Sequence, residues 1–278
     1  MTLSPGLYLV STPIGNAEDI TLRALRLLGA ADVLAAEDTR TARRLMDMHG
    51  VALNGRPLVA YHDHNGPQAR PRLMADLAAG RSVAYVSEAG TPLIADPGYR
   101  LASEAIAAGH AVQAAPGASA LLAALAVAGL PTDRFLFAGF LPPKSAARRA
   151  ALADLTAVPA TLVFYESPRR LTDSLADMQA VLGDREAAVC RELTKKFEET
   201  RRGALSDLAA HYAAPPKGEV VVVVAPPAAA VADPQTLDTA LTAALARHSV
   251  RDAAQLVAEA TGLPRKRVYA RALELAGK

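Results

Sequence analysis

The chain has no tryptophan, one cysteine and only 4% aromatic residues among 278 positions. The lone Cys190 excludes internal disulfides, CxxC redox motifs and cysteine-rich zinc sites, and it fits a reducing compartment. So few aromatic rings cannot make base stacking the main grip on a nucleic acid. No two of the 18 glycines stand two residues apart, so the GxGxxG dinucleotide fingerprint is absent, as is a GxxxxGK[ST] phosphate loop. Ser119 sits in Pro116-Gly117-Ala118-Ser119-Ala120, which lacks the second glycine of a nucleophile elbow. Charge is nearly balanced, 30 basic against 28 acidic residues, so any nucleic-acid contact must come from local patches. The longest uncharged stretch, Ala111 to Thr132, is broken at Pro116-Gly117, and what remains is shorter than the about 20 apolar residues a bilayer span needs. Met1 to Val10 lacks the basic start of a signal peptide. These absences describe a soluble, cytoplasmic chain without a membrane role.

What is present is a core-forming composition, 51% hydrophobic and 21% charged. Short apolar runs bounded by turn residues read as buried strands: Leu7–Val10, Val33–Ala36, Leu58–Tyr61, Ser82–Ser87 and Ala111–Ala114, then Phe135–Gly139, Thr161–Tyr165, Ala187–Arg191 and Glu219–Val224. Helix-period segments lie between them, at Asp19–Leu28 (with Asp19 as the cap), Gln68–Ala79, Tyr99–Ala108, Ser119–Ala128, Ser145–Leu155 and Arg170–Leu182. This alternation predicts an α/β layer fold with a largely parallel sheet. The turn-rich Gly129–Asp133 marks a boundary, giving an N-terminal α/β domain over 1–130 and a second over 131–226. Ala225 to Pro234 reads as a proline-stiffened linker that straddles the end of the second domain, and residues 227–278 comprise the rest of that linker and a helical tail.

Four loops directly follow predicted strands: Ser11–Asn16, Glu37–Arg40, Ser87–Gly98 and Pro116–Ala120. In an open parallel sheet, ligands bind beyond the carboxyl ends of the strands, so these loops should meet around one crevice. Their Pro-Gly turns present backbone N–H and C=O groups rather than charges. His62-Asp63-His64 is the only metal-like cluster, and without a third ligand nearby it reads as a polar loop face, with no metal site.

Particular motifs add a resemblance. Thr12-Pro13-Ile14-Gly15-Asn16, Ala36-Glu37-Asp38-Thr39-Arg40, Tyr61-His62-Asp63-His64-Asn65 and Ala89–Ile94 with Asp96-Pro97-Gly98 resemble the bacterial ribosomal RNA small subunit methyltransferase I family. So do Pro116–Ala120, Gly139-Phe140-Leu141-Pro142, Phe164–Leu171 and Arg191-Glu192-Leu193-Thr194-Lys195. The matches run from residue 7 to about 224; Glu88 and Ala95 depart from the family, which usually has Asp and often Ser there. The resemblance implies a two-domain tetrapyrrole-methylase-like fold with S-adenosylmethionine in the interdomain cleft, usually in a homodimer. It implies 2′-O-methylation of a cytidine ribose in the decoding centre of 16S rRNA. Pro13, Ile14, Gly90, Thr91, Ile94, Ser119 and Ala120 are then expected to line the cofactor pocket, with Phe140, Tyr165 and Glu166 closing it.

Methyl transfer from a sulfonium is an in-line displacement, which needs positioning and carbonyl dipoles more than counter-charges. A ribose 2′-hydroxyl is a poor nucleophile, so a group must take its proton. Candidates are Glu37, Asp38, Glu166 and the run Arg191–Glu199. Lys195 can serve if burial or Arg191 depresses its pKa, or else it holds an rRNA phosphate; Lys195 and Glu37 are the expected catalytic pair. The double-basic spots Arg43-Arg44, Arg148-Arg149, Arg169-Arg170 and Arg201-Arg202 are candidate phosphate contacts, as are Arg40 and Arg191.

From Arg247 onward, seven basic residues face three acidic ones. Ser249 can cap a helix over Val250–Ala260, Thr261-Gly262-Leu263 turns, and Pro264 opens a second helix whose start carries Arg265, Lys266 and Arg267. Leu256, Val257, Ala260, Leu263, Val268 and Leu273 are the expected apolar seam. Two other readings compete: a tetrapyrrole C-methyltransferase of the same fold, and a ligand-sensing nucleic-acid-binding regulator.

Overall fold

The short apolar runs become strands whose alternate residues feed two different cores. The computed structural model describes residues 2–94, 96, 98–228, 234–261 and 263–277. Ala95, Pro97, Gly262, Lys278, the linker positions 229–233 and the side chain of Ala260 lie outside the described residues. In chain order the first layer contains β1 (Gly6–Val10), α1 (Leu22–Ala30), β2 (Val33–Ala36), α2 (Thr39–Met48), β3 (Leu58–Ala60), α3 (Gly66–Ala78), β4 (Ser82–Val86), α4 (Gly98–Ala107) and β5 (Val112–Ala115). The sheet order is β3-β2-β4-β1-β5, parallel at every pairing. Tyr8, Val10, Leu34 and Val86 pack on one face with Leu27, Leu28 and Met46 of α1 and α2. Leu7, Val33, Val83 and Tyr85 pack on the other with Leu73, Leu77 and Leu101 of α3 and α4. Covering both faces is what a parallel sheet requires, and each fully buried leucine contributes about 1.5–3 kcal/mol.

The second layer runs through α5 (Ala120–Ala128), β6 (Phe135–Phe140), α6 (Ser145–Ala153), β7 (Thr161–Glu166), α7 (Leu171–Leu182), β8 (Glu186–Arg191), β9 (Glu199–Ala204), α8 (Leu205–His211) and β10 (Val220–Val224). Its order is β6-β7-β10-β8-β9, and only β6 and β7 are parallel. The expected parallel sheet therefore holds for the first layer and is corrected for the second. There β8 and β9 form a directly connected hairpin, and β10, reached through α8, inserts between β7 and β8 antiparallel to both. Helix α5 packs its Leu121, Ala124 and Leu125 on Val163, Cys190 and Val221 of this second sheet. The nearly uniform apolar sequence of α5 suits a helix buried within the structure.

All nine expected strands occur within one residue of their bounds. Three local readings change. Asp19 closes a short 3-10 turn, while α1 is capped by Thr21, whose Oγ1 accepts from Ala24 N at 3.0 Å. Helix α2 begins directly at Thr39, capped by Asp38. The charged segment Glu199–Ala204 is the edge strand β9, where polar side chains suit solvent exposure. Two double-basic spots are structural rather than phosphate-facing in one member each. Arg148 is buried against Asp177, with Nε donating at 2.7 Å, which ties α6 to α7. Arg202 donates from Nε to Ala128 O at 3.1 Å and from its second terminal nitrogen to Val127 O, satisfying the end of α5.

The second compact unit includes the helical tail, α9 (Pro234–Leu245), α10 (Val250–Thr261) and α11 (Arg265–Leu275). Ser249 caps α10 as expected, accepting from Asp252 N at 3.2 Å. Val257, Leu263 and Val268 are buried with Leu237, Leu241 and Ala253. Leu256, expected in the seam, is instead 52% exposed, because Ala253 and Ala254 occupy the inward face. Arg265, Lys266 and Arg267 are exposed at the start of α11.

Candidate active site

Hydrogen bonds stitch together the loops that leave the first sheet. After β1, Thr12 forms a two-way backbone bridge with Gly90: Thr12 N donates to Gly90 O at 2.9 Å and Gly90 N to Thr12 O at 3.1 Å. Ser11 Oγ donates to Thr91 Oγ1 at 3.2 Å, and Thr91 Oγ1 to Ala118 O at 3.0 Å, which joins the loop after β5. Glu88 N donates to Glu37 Oε2 at 2.9 Å, which joins the loop after β2. Gly90 has φ +80°, a conformation that favours glycine, and a Cβ there would stand 3.2 Å from Ile14 Cγ2. Four strand ends thus share one frame.

The frame forms one wall of a cleft of about 830 Å³, within the usual range for small-molecule sites. Pro13, Ile14, Gly90, Thr91, Ile94, Ser119 and Ala120 all line it, and so does Glu37. Phe140, Tyr165 and Glu166 line it from the second sheet. A bulge between Phe137 and Gly139 shifts the register of β6 just before Phe140, which stays 58% exposed and packs edge-on against Tyr165 at 5.7 Å. Burial pushes the pKa of the Tyr165 hydroxyl up, against the opposing influence of the Leu121 backbone and the Ser119 side chain at the start of α5.

Charges in and beside the cleft have distinct roles. Glu37 is raised above the ordinary carboxylate range, by burial first and then by Asp96, Glu88 and Asp63, against the opposing bond from Glu88 N. Asp96 is also raised by burial, although Gly98 N, Leu93 N and the Tyr85 hydroxyl all donate to it. Glu166 is buried with its carboxylate satisfied: Oε1 accepts from Ser167 N at 2.7 Å and pairs with Arg170 at 2.6 Å, and Oε2 accepts from Ser174 Oγ at 2.6 Å. Its place is in the wall and its charge belongs to Arg170.

Several expected residues lie elsewhere or are already engaged. Lys195 does not line the cleft; its Nζ pairs with Glu192 at 2.9 Å and with Glu219. Burial disfavours its charge, but the two carboxylates outweigh burial and raise its pKa, so the depressed lysine a base requires is corrected. Arg191 pairs with Glu199 at 2.9 Å and bonds Lys217 O, and Arg170 holds Glu166 and Leu141 O. Both guanidiniums are paired with carboxylates inside the fold, although Arg170 Nε has no hydrogen-bond partner among the described residues. Arg40 is 90% exposed in its side chain and pairs with Asp38 at 2.9 Å, while Arg169 is exposed. Among the described residues no group of three His, Cys, Asp or Glu side chains could hold a metal ion.

Sequence reasoning missed Thr12 as a ligand group. Its Oγ1 is buried in the cleft wall without a hydrogen-bond partner, an expensive arrangement unless something else supplies the bond. Its advance signals were its place in the loop after β1 and at the head of the Thr12–Asn16 motif. An orphaned hydroxyl, uncharged loop backbone and an enclosing aromatic pair fit a sulfonium nucleoside such as S-adenosylmethionine.

Two α/β layers with this cleft define the class of the tetrapyrrole methylases. The family described as Tetrapyrrole (Corrin/Porphyrin) Methylases matches residues 6–209, and the RsmI C-terminal HTH domain matches residues 231–276. The solved methyltransferase CobJ is similar with a TM-score of 0.61 and 20% identity, covering 80% of this chain and 95% of that one. A uroporphyrin-III C-methyl transferase from Thermus thermophilus complexed with S-adenyl homocysteine gives 0.54 and 22%, covering 78% and 96%. These likenesses show the fold. In sequence, the chain is 54% identical over 276 residues to the ribosomal RNA small subunit methyltransferase I of Mesorhizobium japonicum, covering 98% of this chain and 93% of that protein. It is 44% identical to the protein of the same name from Pseudomonas aeruginosa, covering 98% of each. The chain belongs to the ribosomal RNA small subunit methyltransferase I family and is a methyltransferase. The tetrapyrrole enzymes share its superfamily, so neither they nor a non-enzymatic regulator is the better reading.

Proposed function

We propose that the protein transfers the methyl group of S-adenosylmethionine to the 2′-hydroxyl of a cytidine ribose in the decoding centre of 16S rRNA. Family membership supports small-subunit rRNA as the substrate, and the carrying observation is a half-buried, raised-pKa Glu37 in the wall of a cleft framed by four cross-bonded strand-end loops. When bound, S-adenosylmethionine supplies an electrophilic methyl group whose C–S bond breaks as the O–C bond forms. Pro13, Ile14, Gly90, Thr91, Ile94, Ser119 and Ala120 would hold it, Thr12 Oγ1 would be available to bond it, and Phe140 with Tyr165 would shield it from water. Glu37 accepts the hydroxyl proton, for which its raised pKa makes it a better base than an ordinary carboxylate. Asp96 holds the loop by accepting from Leu93 N and Gly98 N.

Residues 1–130 and 131–226 act as the two cofactor-binding halves, and 227–278 as an accessory element in which exposed Arg265, Lys266 and Arg267 meet rRNA phosphates. Arg40 and Arg169 are further phosphate contacts. The protein works in the cytoplasm as a homodimer on the small ribosomal subunit.

The test is methyl incorporation from labelled S-adenosylmethionine into 30S subunits, naked 16S rRNA and a tetrapyrrole precursor. Label in rRNA at a cytidine whose 3′ linkage becomes resistant to alkali is expected, because the 2′-hydroxyl drives alkaline cleavage. Label on a base overturns the ribose assignment, and label only in the tetrapyrrole overturns the function.

A further inference from the structure

The structure disposes of most candidate phosphate contacts. Arg148, Arg170, Arg191 and Arg202 each serve an internal partner. Helix α2 is different. Its Arg40, Arg43 and Arg44 fall at i, i+3 and i+4, on one exposed face. They line a surface groove with Thr39, Asp47 and Met48. Two of the three are neutralised locally, Arg40 by Asp38 and Arg43 by Asp47, each at 2.9 Å. Arg44 has neither hydrogen bond nor ion pair among the described residues, although it is exposed and surrounded by pairing neighbours.

Arg44 also occupies a particular place. It lines both the groove and the cleft, as does Met48, and it is the only lysine or arginine lining the cleft among the described residues. The helix N-terminus cannot substitute for it as an anion site. The Asp38 carboxylate already accepts from Arg40 N at 2.7 Å and Thr41 N at 3.3 Å, and these bonds with the Arg40 guanidinium hold its pKa down at about 2. A strand bringing a ribose to Glu37 must carry its flanking phosphates past this mouth, and Arg44 is the uncompensated charge waiting there.

We infer that Arg44, set between the α2 groove and the cleft, grips a backbone phosphate of the rRNA strand next to the methylated nucleotide. The inference rests on the rRNA reading above and adds the path of the strand: along α2, past Met48, into the cleft. A phosphate is favoured over the cofactor's own carboxylate because Arg44 is shared with the outer groove along α2, which none of the strand-end loop residues expected to hold the cofactor lines.

The experiment uses the full chain, 30S subunits and labelled S-adenosylmethionine, comparing wild type with Arg44→Ala and Arg44→Lys. The expected result for Arg44→Ala is a KM for subunits raised about fivefold, and a plot of log affinity against log salt shallower by about 0.7–0.9. Arg44→Lys recovers most of both, since a point charge suffices for a phosphate. Cofactor affinity by calorimetry stays within about twofold. Unchanged KM and salt slope overturn the inference while leaving the rRNA reading intact. A loss of cofactor affinity with unchanged subunit KM assigns Arg44 to the cofactor carboxylate and also overturns it. If wild type labels no subunit rRNA, the functional reading fails and the inference falls with it.

Discussion

The two sheets contribute to one cleft by opposite means. The parallel sheet delivers backbone: four loops from its strand ends are cross-bonded at Thr12–Gly90, Ser11–Thr91–Ala118 and Glu37–Glu88. The mixed sheet delivers side chains, Phe140 and Tyr165, held by a bulge and ring contacts. Parallel strands all end on one side, so their loops converge without further instruction. The side-chain wall comes from the ends of β6 and β7, the parallel pair of the mixed sheet, and Glu166 with Arg170 and Ser174 anchors it. Substitutions on the first side should therefore damage chemistry and binding, and those on the second should damage stability.

The sharpest contrast is at Glu37. Glu37→Gln keeps an oxygen for Glu88 N but cannot take a proton, so turnover at saturating substrates falls about 100-fold or more. In wild type, log turnover rises with pH through a pKa above the ordinary carboxylate range and then levels; in the variant that rise disappears. Stability moves the other way. A folded pKa raised above the unfolded value contributes stability that is fully present below the unfolded pKa and is lost as pH rises through the folded one. Glu37→Gln is thus at least as stable as wild type in urea at pH 7, with the advantage gone below about pH 4. A stabilised but inactive variant supports the assignment; an active one rejects it.

Next comes the backbone side of the cleft. Gly90→Val places a branched residue at φ +80°, about 1–2 kcal/mol unfavourable for any L residue, with its Cβ 3.2 Å from Ile14 Cγ2. Cofactor affinity in calorimetric titration should fall by about 30-fold, with far-ultraviolet dichroism retained. Native affinity would mean that the loop tolerates a side chain where the Thr12 bridge forms.

How far the sequence reveals this architecture follows the same division. The apolar runs of β1 to β5 are continuous because both faces are covered, so strands, and hence the loops after them, are plain in the sequence. Strand β9 is not: Glu199-Thr200-Arg201-Arg202 has the composition of a solvated run because it is an edge. Helix α2 escapes notice since Thr39–Met48 is mostly polar and holds its apolar contacts to Leu45 and Met46. The roles of Arg170, Arg191 and Lys195 depend on carboxylates that tertiary pairing brings to them, of which Glu219 is 24 residues from Lys195. Spacing alone cannot show which charges are already matched.

On the side-chain wall, Glu166→Gln tests anchoring against binding. The amide can still accept from Ser167 N and Ser174 Oγ, but Arg170, about one quarter exposed, loses its counter-charge. Breaking a fully buried pair costs about 3–5 kcal/mol; partial exposure and retained hydrogen bonds reduce the expected loss to about 1–2 kcal/mol in urea unfolding. Cofactor affinity should change little. A large affinity loss with unaltered stability would move Glu166 from the wall into the binding set.

The smallest effect is expected at Lys195. Its ammonium joins Glu192, which precedes it by three residues, to Glu219, and its Cγ lies 2.4 Å from where a Cβ on Gly15 would stand. Thr194 Oγ1 accepts from Asn16 N at 3.1 Å, so this loop straps the first-sheet loop from outside. With the lysine about 29% exposed and Glu219 76% exposed, the strap contributes no more than about 1 kcal/mol. Lys195→Ala should therefore lower turnover by less than about fivefold, and Lys195→Arg should restore most of it because charge is retained. A proton-accepting lysine behaves differently: the alanine variant loses about 100-fold, and arginine, which cannot deprotonate, gives nothing back. The pH dependence separates the two as well. Lys195 carries a raised pKa, so its contribution is fully present below the unfolded lysine pKa and is lost only as pH rises through the folded one. Glu192 is held below the ordinary range, chiefly by its bond to Lys195, so its contribution fades only as pH falls through that depressed value. Between those limits the strap is constant, and replacing Lys195 should leave the neutral-pH shape of the rate profile, set by Glu37, unchanged.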